Sequence, residues 1–397
     1  MLLDAYLKTM MAHQASDLYM VTGAAASIRV EGKLQEINSD SIMKPGEVKN
    51  LAYAIMRPDQ IEEFEKKLEM NLALELADIG RFRVNIYQQR NETSMVIRSI
   101  KTTIPDWNKL ELPKVLTELV MQKRGLILFV GATGAGKSTT MASLIKYRNH
   151  HSHGHIISVE DPIEYVHQHD RCIITQREIG MDTLNYQEAL KNTLRQAPDV
   201  IQIGEIRDAE TMNYALQFAE TGHLCISTLH ANNANQAIDR VRHFFPDTAR
   251  EHLLFELSMN IVAVISQRLI MTHDGLRAPV FEILIGTPLV KDFIKRNEIS
   301  ALKDVMQKSE HLGMQTFDMA LLKLYEAGRI SVEEALKNAD SQNNLRLAIA
   351  LKEGVAGKVN EELSIEQHPE DENRSWDLLT QRGMGLDTNQ KPATPKD

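Results

Sequence analysis

The sequence predicts an α/β protein, a parallel sheet flanked by helices following a smaller α+β domain, and three observations carry that expectation. Four short, almost wholly apolar runs, Leu126–Val130, Ile156–Val159, Val200–Ile203 and Leu224–Thr228, alternate with helical stretches, as strands covered on both faces by helices do. Ahead of them, Arg81–Tyr87 and Ser94–Ile100 alternate with period two, the pattern of a hairpin half-exposed on a sheet. Between the first apolar run and a helical stretch at Thr140–Tyr147 lies a glycine-rich loop, Gly131–Thr139.

Taken in order, Leu3, Tyr6, Leu7 and Met10 follow helical spacing, so residues 2–12 read as an amphipathic helix. Ser16–Met20 and Ser27–Val30 read as strands around a turn at Gly23, with a further turn at Gly32. A helix over about Gln60–Lys67 precedes Leu72–Leu76 and the hairpin. These elements make up a first domain over 1–101. Pro105 and Pro113 bracket Asp106-Trp107-Asn108 in a linker over 102–113. The second domain, 114–354, opens with Leu112, Val115, Leu116, Leu119 and Val120 on one helical face. Beyond about Gly286 the pattern turns helical, with Phe317, Ala320, Leu321 and Leu324 in one stripe and Ser331 with Glu334 as a capping box. From 355 to 397 the chain reads as an acidic, disordered tail: residues 356–397 hold nine acids and five bases with little periodicity. Trp376-Asp377-Leu378-Leu379 stands out there, as a short docking motif or as part of the disorder.

Length and composition agree. The chain has 397 residues, 43% of them hydrophobic and 25% charged, which suits two or three soluble domains. A net charge of −9 argues against broad coating of nucleic acid, though a local basic groove remains open. Two cysteines, Cys172 and Cys225, supply neither a disulfide framework nor a four-thiolate zinc site. Neither a targeting segment nor a membrane-spanning run is visible, so a soluble, cytoplasmic protein is expected.

The strongest motif is Gly131-Ala132-Thr133-Gly134-Ala135-Gly136-Lys137-Ser138-Thr139, a full phosphate-loop pattern between a strand and a helix. Its glycines let backbone N–H groups curl around phosphates, the helix adds its positive end, Lys137 reaches the β/γ oxygens and Ser138 ligates Mg²⁺. Glu160-Asp161-Pro162-Ile163-Glu164 closes the next strand with three carboxylates. Alone it would be a solvated turn; beside a phosphate loop it is where water and a metal shell are handled. Gly204-Glu205-Ile206-Arg207 ends another apolar strand, with glycine where an acid is more usual and with Gln202 inside the strand. His223 and His230 flank the last strand; either is structural or, for His230, a γ-phosphate sensor. The run His150-His151-Ser152-His153-Gly154-His155 is read as a helix-to-strand loop rather than a metal site.

In their order and spacing these motifs resemble the secretion ATPase superfamily, and within it the type IV pilus retraction motors of the PilT and PilU type. The phosphate loop, the acidic box at Glu160–Glu164, the atypical Gly204-Glu205 and the histidine box His223–His230 carry the resemblance. Ser16-Asp17-Leu18, Ile28–Gly32, Arg81–Asn85 and Gly313–Asp318 extend it over about residues 1–350. It implies a PAS-like N-terminal domain, a RecA-like P-loop ATPase core and a homohexameric ring. Glu164 would be the general base, Glu205 the metal-side carboxylate (directly or through water) and His230 the sensor. Arg83 and Arg98 would be the first candidates for arginines reaching the γ-phosphate, with Arg207 a further one; the alternative is that the hairpin arginines simply cover an exposed sheet face. ATP and Mg²⁺ would be the cofactors.

Two cysteines cannot supply the tetracysteine insert common in extension motors, and Leu289-Val290-Lys291 after Gly286-Thr287-Pro288 departs from the PilT pattern. With the acidic tail, these departures point to a PilU-type accessory of a PilT-like retraction ATPase. The expected setting is peripheral to the inner membrane at the pilus base, beside a platform protein and without nucleic acid. Two other functions stay open: a nucleotide-binding regulatory subunit with little turnover, and a DNA-stimulated translocase.

Overall fold

The computed structural model describes residues 2–100 and 103–352. The N-terminal part comprises α1 (Leu2–Ala12), β1 (Asp17–Met20), β2 (Ser27–Val30), β3 (Lys33–Glu36), α2 (Glu47–Tyr53), α3 (Pro58–Lys67), β4 (Glu69–Leu76), β5 (Gly80–Gln89) and β6 (Glu92–Ile100). Its six strands form an antiparallel sheet in the order β3-β2-β1-β6-β5-β4. Along β5 the expected alternation holds: Phe82, Val84 and Ile86 are buried with Leu7, Leu18 and Phe64, and Arg81, Arg83 and Asn85 fall on the other face. β3 left no apolar signal because all four of its residues are exposed.

The second sheet is built by α4 (Lys114–Val120), β7 (Gly125–Val130), α5 (Lys137–His151), β8 (Gly154–Glu160), β9 (Cys172–Glu178), α6 (Tyr186–Thr193), β10 (Val200–Ile203), α7 (Ala209–Glu220), β11 (Leu224–Leu229), α8 (Ala234–His243), α9 (Arg250–Asn260), β12 (Ile261–Met271) and β13 (Arg277–Ile285). Its order is β13-β12-β7-β11-β10-β8-β9. Six strands run parallel, but β13 pairs antiparallel with β12. The four apolar runs are parallel neighbours as expected, and β13 is an addition the sequence reading did not place: Asp274 and Gly275 close a short turn that returns the chain directly, with no crossover helix. Both faces are covered as the apolar runs require. Leu126, Leu128 and Val130 of β7 pack with α7 and α8, while Ile127 and Phe129 pack with α4 and α5.

Then follow α10 (Pro288–Lys295), α11 (Leu302–Lys308), α12 (Phe317–Glu326) and α13 (Val332–Asn338). Phe317, Ala320 and Leu321 are buried, as a core stripe would be, and the Ser331 hydroxyl accepts from Glu334 N–H. A separate compact unit begins at Ser341 and contains α14 (Gln342–Lys352); the acidic tail and Trp376 lie outside the described residues. The histidine run is not all loop: His150 and His151 finish α5, and His155 lies in β8. There His150 pairs with Asp170 at 2.7 Å, and His151 stacks on Tyr147 beside Trp107.

Candidate nucleotide site

Parallel register decides where the motifs meet. Val130 pairs with Leu229, and Ile203 pairs with both Val159 and Ser227. The residues that follow, Gly131, Glu160, Gly204 and His230, therefore emerge at one edge of the sheet, where open α/β sheets bind ligands. A cavity of about 420 Å³ opens there, lined by the loop Thr133–Thr139 together with Glu160, Asp161, Glu164, Tyr186, Gly204, Glu205, Thr228 and His230.

The loop is tight for a reason found outside it. Gly131 has φ +152°, and a Cβ there would lie 2.6 Å from the Gln267 carbonyl oxygen; at Gly136, φ +88°, it would lie 2.8 Å from Gln267 Nε2. Gln267, buried on β12, backs the loop from below. α5 starts at Lys137, so its N-terminal end opens on the cavity. Lys137 Nζ donates to the carbonyls of Gly131 at 2.7 Å and Ala132 at 2.9 Å. Burial lowers its pKa, and the charges of Glu205 and Glu164 oppose that shift. Ser138 is half-buried on the cavity wall, and Thr139 Oγ1 bonds Tyr165 OH at 2.9 Å, tying α5 to the acidic box.

The acids differ in setting. Glu160 is buried, and desolvation pushes its carboxyl up to about 7. Glu164 is exposed on the cavity rim. Glu205 is held from both sides, by Arg207 and by His230 Nε2 at 3.1 Å, and Arg207 also reaches Asp161 at 3.9 Å. The Glu205 hydrogen bond raises the pKa of Arg207. Thr228 Oγ1 donates to the Gly204 carbonyl at 2.7 Å, fixing the end of β10 against β11. His223 stands at the opposite end of β11, bonded to Thr221 and Phe218, so of the two histidines His230 lines the cavity.

The hairpin arginines sit elsewhere. Arg83 and Arg98 are cross-strand partners on β5 and β6, and Arg98 Nε donates to Asp17 at 2.8 Å. Arg81 and Arg83 act electrostatically on Glu178 at the end of β9, lowering a pKa that burial raises. Glu178 in turn accepts the Ile163 N–H at 3.2 Å, within the acidic box. Neither Arg83 nor Arg98 lines the cavity.

Three contributors escaped the sequence reading: Tyr186, Gln267 and Glu282, whose Oε1 accepts the Ala234 N–H at 2.7 Å at the start of α8. Glu282 had a signal, a polar side chain inside the apolar run Val280–Ile285.

With this geometry in place, the family model for "Type II/IV secretion system protein" matches residues 1–346. The chain belongs to that family. Among relatives of this secretion-system family, the "Type IV pilus ATPase PilU" of Pseudomonas aeruginosa is 49% identical over 349 residues, covering 88% of this chain and 91% of that protein. The same organism's "Type IV pilus retractation ATPase PilT" is 39% identical over 330 residues, covering 83% of this chain and 96% of the other. A crystal structure of the pilus retraction motor PilT with bound ADP superposes with a TM-score of 0.80 at 37% identity, covering 86% of this chain and 98% of that one. The PilT-type likeness spans both sheets.

Proposed function

We propose that the chain is a Mg²⁺-dependent ATPase motor that drives type IV pilus retraction and twitching motility, as a PilU-type accessory to a PilT-like retraction ATPase. One observation carries it: Lys137, Glu160, Glu164, Glu205 and His230 converge on one cavity in a chain 49% identical to a type IV pilus ATPase. Pilus-motor relatives favour a motor over a regulatory subunit or a DNA-stimulated translocase.

The residues fit the groups such a reaction needs. At Gly131 and Gly136 any Cβ would strike Gln267, so the loop offers phosphates bare backbone N–H groups. Ser138 and the carboxylates of Glu160, Glu164 and Glu205 share the cavity, an all-oxygen donor set suited to Mg²⁺. Ser138, with Glu205 directly or through water, would hold it; once bound, the ion offsets charge on the β/γ oxygens. Lys137 exchanges its two carbonyl partners for phosphate oxygens, and Glu164 orients the attacking water from the rim. His230 reports on the γ-phosphate through Glu205. Arg207, paired with Glu205, is the arginine at hand to balance developing charge, and Arg83 and Arg98, which do not line this cavity, would do so only toward the site of a neighbouring copy.

Further features extend the proposal. Two sheets that move against each other as nucleotide turns over suit a homohexameric ring. No described helix is long and apolar enough to cross a membrane, which suits a motor at the cytoplasmic face docked on an inner-membrane pilus platform protein. The test is phosphate release by the purified chain, with and without a PilT-like partner, and with and without DNA. Turnover is expected in the wild type and its loss in Lys137→Ala and Glu164→Gln. Wild-type rates in both variants refute the assignment, and turnover that requires DNA favours the translocase.

A further inference from the structure

Tyr186 opens α6, with its ring against the sheet core and its side chain on the cavity wall. Its hydroxyl oxygen is shut off from solvent and has no hydrogen-bond partner. Orphaned buried polar atoms are few in native folds, and each calls for an explanation. Burial raises this hydroxyl's pKa, with Asp161, Glu205 and Glu160 adding to the shift and Arg207 opposing it. The hydroxyl therefore keeps its proton and, lacking a partner, is free to donate.

Gly204 shows how room is made for it. A Cβ there would lie 2.8 Å from the Tyr186 hydroxyl, 3.2 Å from Glu160 Cα and 3.3 Å from the Val159 carbonyl. The backbone at 204 lies outside the left-handed region, so glycine is needed for space rather than for conformation. Glycine at the end of β10 and a hydroxyl on α6 form a matched pair at the place where an acid is more usual.

Glu205 is at present committed to Arg207 and His230. Turning it further toward the phosphate loop draws it from Arg207 and frees a carboxylate oxygen for another donor. We propose that Tyr186 is a positioning residue for ATP hydrolysis: its hydroxyl donates to Glu205 in the nucleotide-bound site and holds that carboxylate toward the phosphate loop, with Gly204 keeping the path open. This rests on the ATPase assignment.

Tyr186→Phe keeps the ring and removes one oxygen. It is expected to lower kcat about tenfold, as loss of a hydrogen bond to a charged group does. KM for ATP and the Kd of a fluorescent ATP analogue should stay within about twofold of the wild type. Its unfolding midpoint should match or exceed the wild type, because an unpartnered buried hydroxyl has gone; a hydrogen bond that merely supported the fold would give the opposite shift. Gly204→Ala displaces the hydroxyl and should show a similar loss of kcat, and Tyr186→Phe added to it should cost little more. Full kcat in Tyr186→Phe, or independent multiplicative losses in the double variant, overturns the proposal. A wild-type chain without turnover overturns the ATPase assignment instead.

Discussion

Glu282 offers a quantitative test of how the core supports the histidine edge. It lies on β13, wholly buried, and desolvation pushes its carboxyl up to about 7 from an ordinary 4.5. Oε1 accepts the Ala234 N–H at 2.7 Å and the Ser266 hydroxyl at 3.3 Å, while Oε2 has no partner. Ala234 begins α8 just beyond His230, so this carboxyl pins the helix that follows His230. Asp340 raises the pKa further, and Lys303 opposes it.

Between pH 4.5 and about 7 the folded protein holds a proton that the unfolded chain has released. The contribution to stability is therefore complete below pH 4.5, declines as pH rises and is lost above about 7. At about 1.4 kcal/mol per pH unit, that span corresponds to about 3 kcal/mol. Glu282→Gln retains an oxygen for Ala234 and abolishes ionisation. Relative to the wild type, the variant should gain stability from pH 5 to about pH 7 and level off by pH 8, by up to about 3 kcal/mol. Any fixed cost of burying an amide N–H cancels from that slope. Glu160 titrates in the same range in both proteins and cancels as well. Urea unfolding at pH 5, 6.5 and 8 reads the difference. A difference that does not change with pH would falsify the assignment of a buried, neutral carboxyl at 282.

Two further outcomes are expected. Gly131→Ala forces a Cβ toward the Gln267 carbonyl at a strained φ and should weaken binding of a fluorescent ATP analogue at least tenfold while lowering the unfolding midpoint; unaltered binding would mean the loop yields. If Arg83 or Arg98 reaches the γ-phosphate of a neighbouring copy, its alanine variant should lose about 10³-fold in kcat, and mixing it with a Lys137→Ala variant should restore part of the rate. Near-normal turnover in both arginine variants leaves them as cover for the sheet face.

What was legible in the sequence follows from which forces are local. The four apolar strands announce themselves because a strand buried on both faces tolerates little else, and the phosphate loop because its chemistry is contiguous. Glu160, Glu164, Glu205 and His230 were legible for a related reason: each lies at or just beyond a strand end, and parallel register brings those ends to one edge. The exposed β3 carried no such signature, and β13, though an apolar run, gave no sign that it returns antiparallel. Tyr186 is a different case, since nothing around residue 186 marks it; the informative position was Gly204, whose missing side chain leaves space that only the folded chain shows to be filled by a hydroxyl. Gln267 and Glu282 sit between these extremes. Glu282 interrupts an apolar run, which costs stability unless the polar group meets a partner, and Gln267 is buried within the polar triplet Ser266-Gln267-Arg268 of β12 with its Oε1 unpartnered. One backs the phosphate loop and the other pins the helix after His230. The buried Glu282 thus points to the edge it supports, though not to Ala234, because that partner is chosen by strand order rather than by sequence spacing. Gln202, buried on β10 two residues before Gly204, belongs to the same class and lies under the same edge.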